Sequence, residues 1–119
     1  MKLQESGEMY LETILLLSNN NKEVHAIDIA NKMGFSKPSV SRAVNKLKDN
    51  GYLKIDSNDA ITLTKIGYNH ASKIYERHLV LTKLFEQYGV DSESAAEDAC
   101  RVEHVISDKT FDAIKARLK

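Results

Sequence analysis

The sequence predicts a mainly α-helical chain that carries one short β-hairpin near its middle. Only 5 of its 119 residues are glycine and 1 is proline. Turn signals are therefore sparse, which favours long helices over an all-β sandwich. Apolar residues recur at helical spacing along most of the chain, but between residues 52 and 63 they alternate with polar residues as strands require.

Three helices are predicted before the hairpin. The first covers residues 5–18, where apolar side chains repeat at helical spacing until three asparagines follow. The second covers about residues 26–33 and ends at Gly34, because glycine adopts the left-handed cap most readily. The third begins after a Ser36 N-cap and has Pro38 in its first turn, where a missing N–H costs nothing.

Three further helices are predicted after the hairpin, whose polar tip is residues 56–59. Thr64 caps a long fourth helix that runs to about Tyr88, a fifth spans about residues 91–106, and a sixth runs from residue 107 or 108 to the end. The apolar residues predicted to be buried on the second and fourth helices are Ile27, Ile29, Ala30, Ile66, Ile74, Leu79, Leu81, Leu84 and Phe85.

The order helix, helix, tight turn, helix, hairpin predicts a winged helix-turn-helix, a DNA-binding arrangement. Ala30 is small enough for a close helix crossing, Gly34 makes the turn, and Val40 packs the third helix onto the second. The net charge of the whole chain is zero, but residues 32–54 carry a local charge of +5, which suits an anionic partner. The polar residues predicted to face DNA are Ser36, Lys37, Pro38, Ser39, Ser41, Arg42 and Lys46. The alternative is that these residues are the solvated face of an ordinary three-helix core.

Other features of the sequence limit where the protein works. The longest apolar run is only residues 14–17, so neither a membrane span nor a signal peptide is predicted. The single cysteine, Cys100, has no partner in the chain for a disulfide, which agrees with a reducing compartment. We therefore expect a cytoplasmic protein.

A metal site is predicted in the acidic segment from residue 86 to residue 103, whose local charge is −5. Cys100, Glu103 and His104 occupy positions i, i+3 and i+4 of one predicted helix, so a thiol, a carboxylate and an imidazole lie within one turn. Each residue alone has a structural explanation, as a small core residue, a solvated acid or a surface histidine. Together they favour a metal site.

Three segments of the chain resemble the diphtheria toxin repressor family of metal-dependent transcriptional repressors. They are residues 8–12 (EMYLE), 36–41 (SKPSVS) and 97–108 (EDACRVEHVISD). The resemblance covers nearly all 119 residues. It implies a winged helix-turn-helix domain at residues 1–70 and an α-helical metal-binding and dimerisation domain at residues 71–119. The SH3-like domain of longer members is expected to be missing.

The resemblance also assigns metal ligands. Met9, Cys100, Glu103 and His104 match the primary site for ferrous iron. His78 matches a histidine of a second site, but the other two ligands of that site fall on Thr82 and Ala96, which cannot serve. Glu12 matches a carboxylate ligand of the manganese-responsive branch, so a second site rebuilt from Glu12, His78 and Glu103 is a further hypothesis.

The function that these observations predict is repression of metal-homeostasis genes by a homodimer that binds a palindromic double-stranded operator. Fe(II) is the expected co-repressor, with Mn(II), Co(II), Ni(II) or Zn(II) as alternatives. The soft thioether and thiolate ligands favour Fe(II), Co(II), Ni(II) and Zn(II) over Mn(II), which prefers oxygen-rich sites. No enzyme activity, membrane or small organic substrate is expected.

Three other interpretations remain open at the level of sequence. One is a metal-independent winged-helix regulator that senses oxidants through Cys100. Another is a small metal hydrolase with Glu103 as its base, although no His-Glu-x-x-His motif is present. The third treats the acidic half as a plain dimerisation module.

Overall fold

The computed structural model describes residues 5–20 and 23–118. In these residues it contains six helices and one two-stranded antiparallel sheet. In chain order they are α1 (Glu5–Ser18), α2 (Ala26–Met33), α3 (Lys37–Asp49), β1 (Leu53–Ile55), β2 (Ile61–Leu63), α4 (Lys65–Gln87), α5 (Ser92–Val102) and α6 (Asp108–Arg117). The chain divides into two compact units, Met1–Ser72 and Lys73–Lys119. None of the helices within the described ranges combines the length and the apolar character that crossing a membrane requires.

The first unit is a three-helix core with a β-hairpin, and local signals set its boundaries as predicted. Gly34 ends α2 with a left-handed backbone (φ +73°), and the Ser36 side chain caps α3 by accepting a hydrogen bond from the Ser39 N–H. In the hairpin, Leu53 pairs with Leu63 and Ile55 with Ile61. The buried apolar residues of this unit are Tyr10, Leu11, Ile14, Leu15, Val24, Ile29, Ala30, Val40, Val44, Leu47, Leu53, Ala60, Ile61 and Ala71.

The second unit packs the C-terminal part of α4 with α5 and α6. Its buried apolar residues are Ile74, Leu81, Ala95, Ala99 and Phe111. Side-chain oxygens of Asp91 and Ser107 cap α5 and α6, accepting from the N–H groups of Ser94 and Thr110.

Three of the residues predicted to be buried are exposed. They are Ile27, Ile66 and Leu79, whose exposed fractions are 49%, 64% and 52%. Leu79 lies five residues after the buried Ile74, which places it about 140° away around the helix axis at 100° per residue. The buried stripe of α4 in the second unit is thus narrower than its apolar composition suggests.

Helix α5 also ends earlier than predicted, at Val102 instead of Ile106. The N–H groups of Val105 and Ile106 both donate to the Val102 carbonyl, at 3.0 Å, and close a turn. This turn is required because Ser107 must take an extended backbone (ψ 155°) to cap α6. The turn from Glu103 to Ile106 is called the α5–α6 turn below.

Candidate metal centre and nucleic-acid interface

Three ligand-type side chains meet where α5 enters the α5–α6 turn. The Sγ of Cys100, a carboxylate oxygen of Glu103 and a ring nitrogen of His104 all lie within 4.8 Å of one another. Cys100 is still on the helix, while Glu103 is its C-cap and keeps helical backbone angles (φ −57°, ψ −27°). Because the helical path continues to Glu103, the three side chains converge although the helix ends earlier than the sequence suggested.

The carboxyl group of Glu103 is the most deeply buried part of this cluster. Its residue is 0% exposed, and its Oε1 lies 3.3 Å from Nδ1 of His78 on α4. Within residues 5–20 and 23–118, its Oε2 has no hydrogen-bond partner. A buried carboxyl oxygen without a partner is costly and rare, and a bound cation is one arrangement that satisfies it.

The donor set fits a first-row divalent metal ion. A thiolate, a carboxylate and an imidazole are ligands that Fe(II), Co(II), Ni(II) and Zn(II) accept, and the thiolate is the soft member of the set. Cys100 and His104 are half-buried, whereas Glu103 is buried. The residues present therefore fit a metal ion that the second unit could hold.

The other predicted metal ligands are distributed over both units. His78 lies in the second unit and contacts Glu103 as described above. Met9 and Glu12 lie on α1 of the first unit, and Glu12 is 9% exposed. Their participation in metal binding stays a prediction. Thr82, which cannot replace a ligand of the second site, uses its hydroxyl to donate to the His78 carbonyl at 2.7 Å.

The predicted DNA-facing residues lie on the outer side of α3 and at its N-terminus. Ser36, Lys37, Pro38, Arg42 and Lys46 are exposed, and Ser39 and Ser41 are half-buried. Ser36 and Ser39 also bond to each other, Oγ to Oγ at 2.8 Å. Nη2 of Arg42 donates to the Ser39 hydroxyl at 3.4 Å, which is longer than an ordinary N–H···O hydrogen bond of about 2.7–3.2 Å.

A groove of about 640 Å³ runs beside this face, between α2, α3 and the hairpin. Lys37, Ser41, Asn45 and Lys48 of α3 line one side, and Asn58 lies on the hairpin side. Lys48 is not among the residues that the sequence analysis predicts to face DNA. Its spacing gave the signal, because it follows Ser41 by seven residues and so shares the side of the helix on which Asn45, four residues after Ser41, also lies.

The tip of the hairpin is acidic and held by its own hydrogen bonds. The Asp56 side chain accepts from the N–H groups of Asn58 (2.8 Å) and Ala60 (3.0 Å), and Asp59 adopts φ +61°. The carboxylate of Asp56 therefore shapes the turn.

A winged helix-turn-helix unit joined to a helical unit with a thiol–carboxylate–imidazole cluster defines a class of metal-responsive DNA-binding regulators. Comparison with known families agrees with this class. Residues 2–61 match the model "Iron dependent repressor, N-terminal DNA binding domain". Residues 64–119 match "Iron dependent repressor, metal binding and dimerisation domain". The chain belongs to the iron-dependent repressor family, which confirms the resemblance and the fold class that the sequence predicted.

Individual relatives support the same placement. The chain is 33% identical over 116 residues to an uncharacterised helix-turn-helix transcriptional regulator of Methanocaldococcus jannaschii, covering 95% of this chain and 92% of that protein. It is 30% identical over 108 residues to the diphtheria toxin repressor of Corynebacterium diphtheriae, covering 90% of this chain and 48% of that protein. The structure of the manganese regulator SloR superposes with a TM-score of 0.82 at 29% identity, covering 98% of this chain and 54% of that one. The chain thus spans about half the length of the last two proteins.

Proposed function

We propose that the protein is a metal-dependent transcriptional repressor whose co-repressor is a divalent ion held by Cys100, Glu103 and His104. The observation that carries this proposal is the fully buried carboxyl group of Glu103, whose Oε2 lacks a hydrogen-bond partner within the described residues. It lies in the matched metal-binding domain, beside a thiol and an imidazole. Neither an enzyme activity nor a membrane partner is part of the proposal, and the protein is expected to act in the cytoplasm.

Fe(II) is the proposed ion, with Met9 as a fourth ligand. The thiol of Cys100 argues for a metal softer than Mn(II), since Mn(II) prefers sites rich in oxygen. The name of the similar SloR refers to manganese, so the metal series below includes Mn(II). We also propose that Glu12 and His78 form a second site with Glu103, supported by the 3.3 Å approach of His78 to the Glu103 carboxylate.

The proposed DNA-binding form is a homodimer, with residues 1–70 binding DNA and residues 71–119 binding metal and forming the dimer. Helix α3 of each protomer would enter the major groove of one half of a palindromic operator. Its exposed lysines would contact phosphates, while Arg42 can donate two hydrogen bonds to a guanine edge. The exposure of Lys37, Arg42 and Lys46 supports this assignment.

Metal would act by restraining protein groups. When bound, the ion supplies positive charge that neutralises the buried carboxylate and joins ligands from separate parts of the chain. Cys100 must lose its proton to bind metal, so affinity should rise with pH through neutrality. By linkage, whatever factor metal adds to operator affinity, DNA adds to metal affinity.

The test is fluorescence anisotropy with a labelled fragment of the protein's own promoter, at constant salt, after complete chelation and then with Fe(II), Co(II), Zn(II) or Mn(II). We expect tight binding only with metal, and loss of the metal response in Met9→Ala and His104→Ala. Glu97→Gln is the matched control, because Glu97 is an exposed carboxylate on α5. Equal binding with and without metal would contradict the proposal. Regulation by oxidant, lost in Cys100→Asp, would instead establish the redox alternative.

A further inference from the structure

A buried arginine of α4 holds the α5–α6 turn at both of its ends. Arg77 is only 7% exposed. Its Nη1 donates to the Glu103 carbonyl at 3.2 Å and to the Ile106 carbonyl at 2.8 Å, and these are the first and last residues of the turn. Its Nη2 bonds to the carboxylate of Asp108 in the first turn of α6. One side chain thus connects α4, the turn and α6.

The guanidinium group is itself held in place by its surroundings. It lies over the Phe111 ring, 5.5 Å from the centroid, and this ring is buried. Nζ of Lys73 lies 3.0 Å from Oδ1 of Asp108, the oxygen that Arg77 also contacts. The carboxylate is thus held by two cationic side chains of α4. A guanidinium group is suited to this position because its planar donors have a fixed geometry, whereas lysine offers a compact ammonium.

Two consecutive residues of α4, Arg77 and His78, therefore both contact Glu103, one of the three proposed metal ligands of the second unit. Arg77 holds the main chain of Glu103 through its carbonyl, and His78 contacts its carboxylate. His104, the next ligand, lies inside the same turn. The path of the turn determines where the side chains of Glu103 and His104 point, so Arg77 bears on both ligands without contacting the position of the ion.

We propose that Arg77 is a positioning residue for metal binding: it fixes the α5–α6 turn in the shape that lets Glu103 and His104 bind an ion together with Cys100. This inference rests on the proposed function. Groups that orient metal ligands typically account for 10- to 100-fold in metal affinity. The prediction is therefore that disturbing Arg77 weakens metal binding by about that factor while the fold persists.

The simpler explanation is that Arg77 only ties α4 to α6. The chain offers a matched control for that role, because Glu76 precedes Arg77 and pairs with Lys115 of α6 at 2.8 Å. Both side chains of this pair are about half exposed, and within residues 5–20 and 23–118 neither forms a hydrogen bond or ion pair with the α5–α6 turn. Glu76→Gln removes a link between the same two helices and leaves the turn alone.

The first measurement uses the metal-free protein with both of its units. Amide hydrogen exchange is followed at Val105 and Ile106, whose N–H groups close the turn, with amides of α3 as an internal reference. In Arg77→Lys we expect faster exchange at the turn and unchanged exchange in α3. In Glu76→Gln the turn should exchange as in wild type. Unchanged protection of the turn in a folded Arg77→Lys would overturn the inference.

The second measurement is a Co(II) titration of the same proteins, monitored by the thiolate-to-cobalt absorption that Cys100 would give. We expect the dissociation constant to rise by about 10- to 100-fold in Arg77→Lys and by less than about twofold in Glu76→Gln. Equal affinities in Arg77→Lys and wild type would overturn the inference, as would an equal loss in both variants. If Arg77→Lys does not fold, Asp108→Asn replaces it, because Asp108 has a side chain 63% exposed. A smaller weakening in the same direction is then expected, and none would overturn the inference.

These measurements distinguish a failure of the proposed function from a failure of the inference about Arg77. A wild-type chain that gives no thiolate-to-cobalt band contradicts the proposed function, while the exchange experiment, which uses no metal, still decides whether Arg77 holds the turn. Normal cobalt binding that is indifferent to Arg77 contradicts only this inference.

Discussion

Replacing Glu103 with methionine should make the metal-free protein more stable and the metal-loaded protein relatively less stable. Glu103 is 0% exposed and its Oε2 has no hydrogen-bond partner within the described residues. A buried polar atom in that state costs about 1–3 kcal/mol. Methionine has a similar volume, needs no such partner and adapts to irregular surroundings.

The magnitude follows from these terms. Loss of the 3.3 Å contact with His78 offsets part of the gain, since His78 is only partly buried and one ordinary hydrogen bond contributes about 1 kcal/mol. A net stabilisation of up to about 2 kcal/mol is therefore expected without metal. For a chain of this size, 1 kcal/mol corresponds to about 4 °C in Tm. Metal at 100 times its Kd stabilises wild type by about 2.7 kcal/mol, whereas Glu103→Met should gain little, so the order of the two proteins reverses.

The assay is thermal unfolding followed by circular dichroism at 222 nm, with a chelator or with a saturating divalent ion. Glu97→Met is the matched control, because Glu97 is exposed on α5 and should change stability by no more than about 0.5 kcal/mol in either condition. A Glu103→Met protein that unfolds below wild type in chelator would refute the reasoning, since it would show that the carboxyl group stabilises the metal-free fold.

Three further predictions follow from single contacts. Gly67→Ala should destabilise the first unit toward the upper end of about 1–3 kcal/mol, because a Cβ there overlaps the Tyr52 carbonyl oxygen; wild-type stability in urea unfolding would contradict this. The hydrogen bond and charge of Lys73 lower the pKa of Asp108 below its ordinary value of 3.8. The stability that the Lys73–Asp108 contact adds is therefore fully present above pH 3.8. It is lost as the pH falls through the lower pKa that Asp108 has in the folded protein. The Tm difference between wild type and Asp108→Asn should accordingly shrink in acid, and a constant difference would count against the contact. Lys46→Ala should weaken operator binding and reduce the slope of log affinity against log salt by about 2, one phosphate contact for each protomer of the proposed dimer; an unchanged slope would show that Lys46 contacts no phosphate.

Most of the first unit was predictable because its boundaries depend on local signals. Gly34 needs the left-handed backbone that it adopts, and Ser36 caps α3 through its own side chain. These effects involve neighbours within four residues, so the sequence contains them directly. Ile66 was misjudged for a different reason, since an apolar residue on a helix reveals its burial only when the packing partner is known.

The end of α5 and the surroundings of the candidate metal site were harder to predict. The convergence of Cys100, Glu103 and His104 follows from their spacing, but the turn at Glu103 depends on tertiary contacts. Arg77 lies 26 residues before Glu103 and looks, in sequence, like one more charged residue of an exposed helix. Its burial and its bonds to carbonyl groups follow from the packing of α4 against the turn, and no local pattern reports them.

The two candidate sites should respond differently to mutation, because one is buried and the other exposed. On α3, the side chains of Lys37, Arg42 and Lys46 remain in water, so their positions cost the fold little and their replacement should change DNA binding with little effect on stability. At the other site, the carboxyl group of Glu103 is buried and has lost its hydration. This desolvation destabilises the fold whenever no ion is bound. If the proposed site is correct, metal binding and folding of the second unit should therefore be coupled through Glu103. A screen that scores thermal stability with and without metal should thus detect changes at Glu103 while passing over changes at Lys46, and DNA binding at saturating metal should detect Lys46 directly.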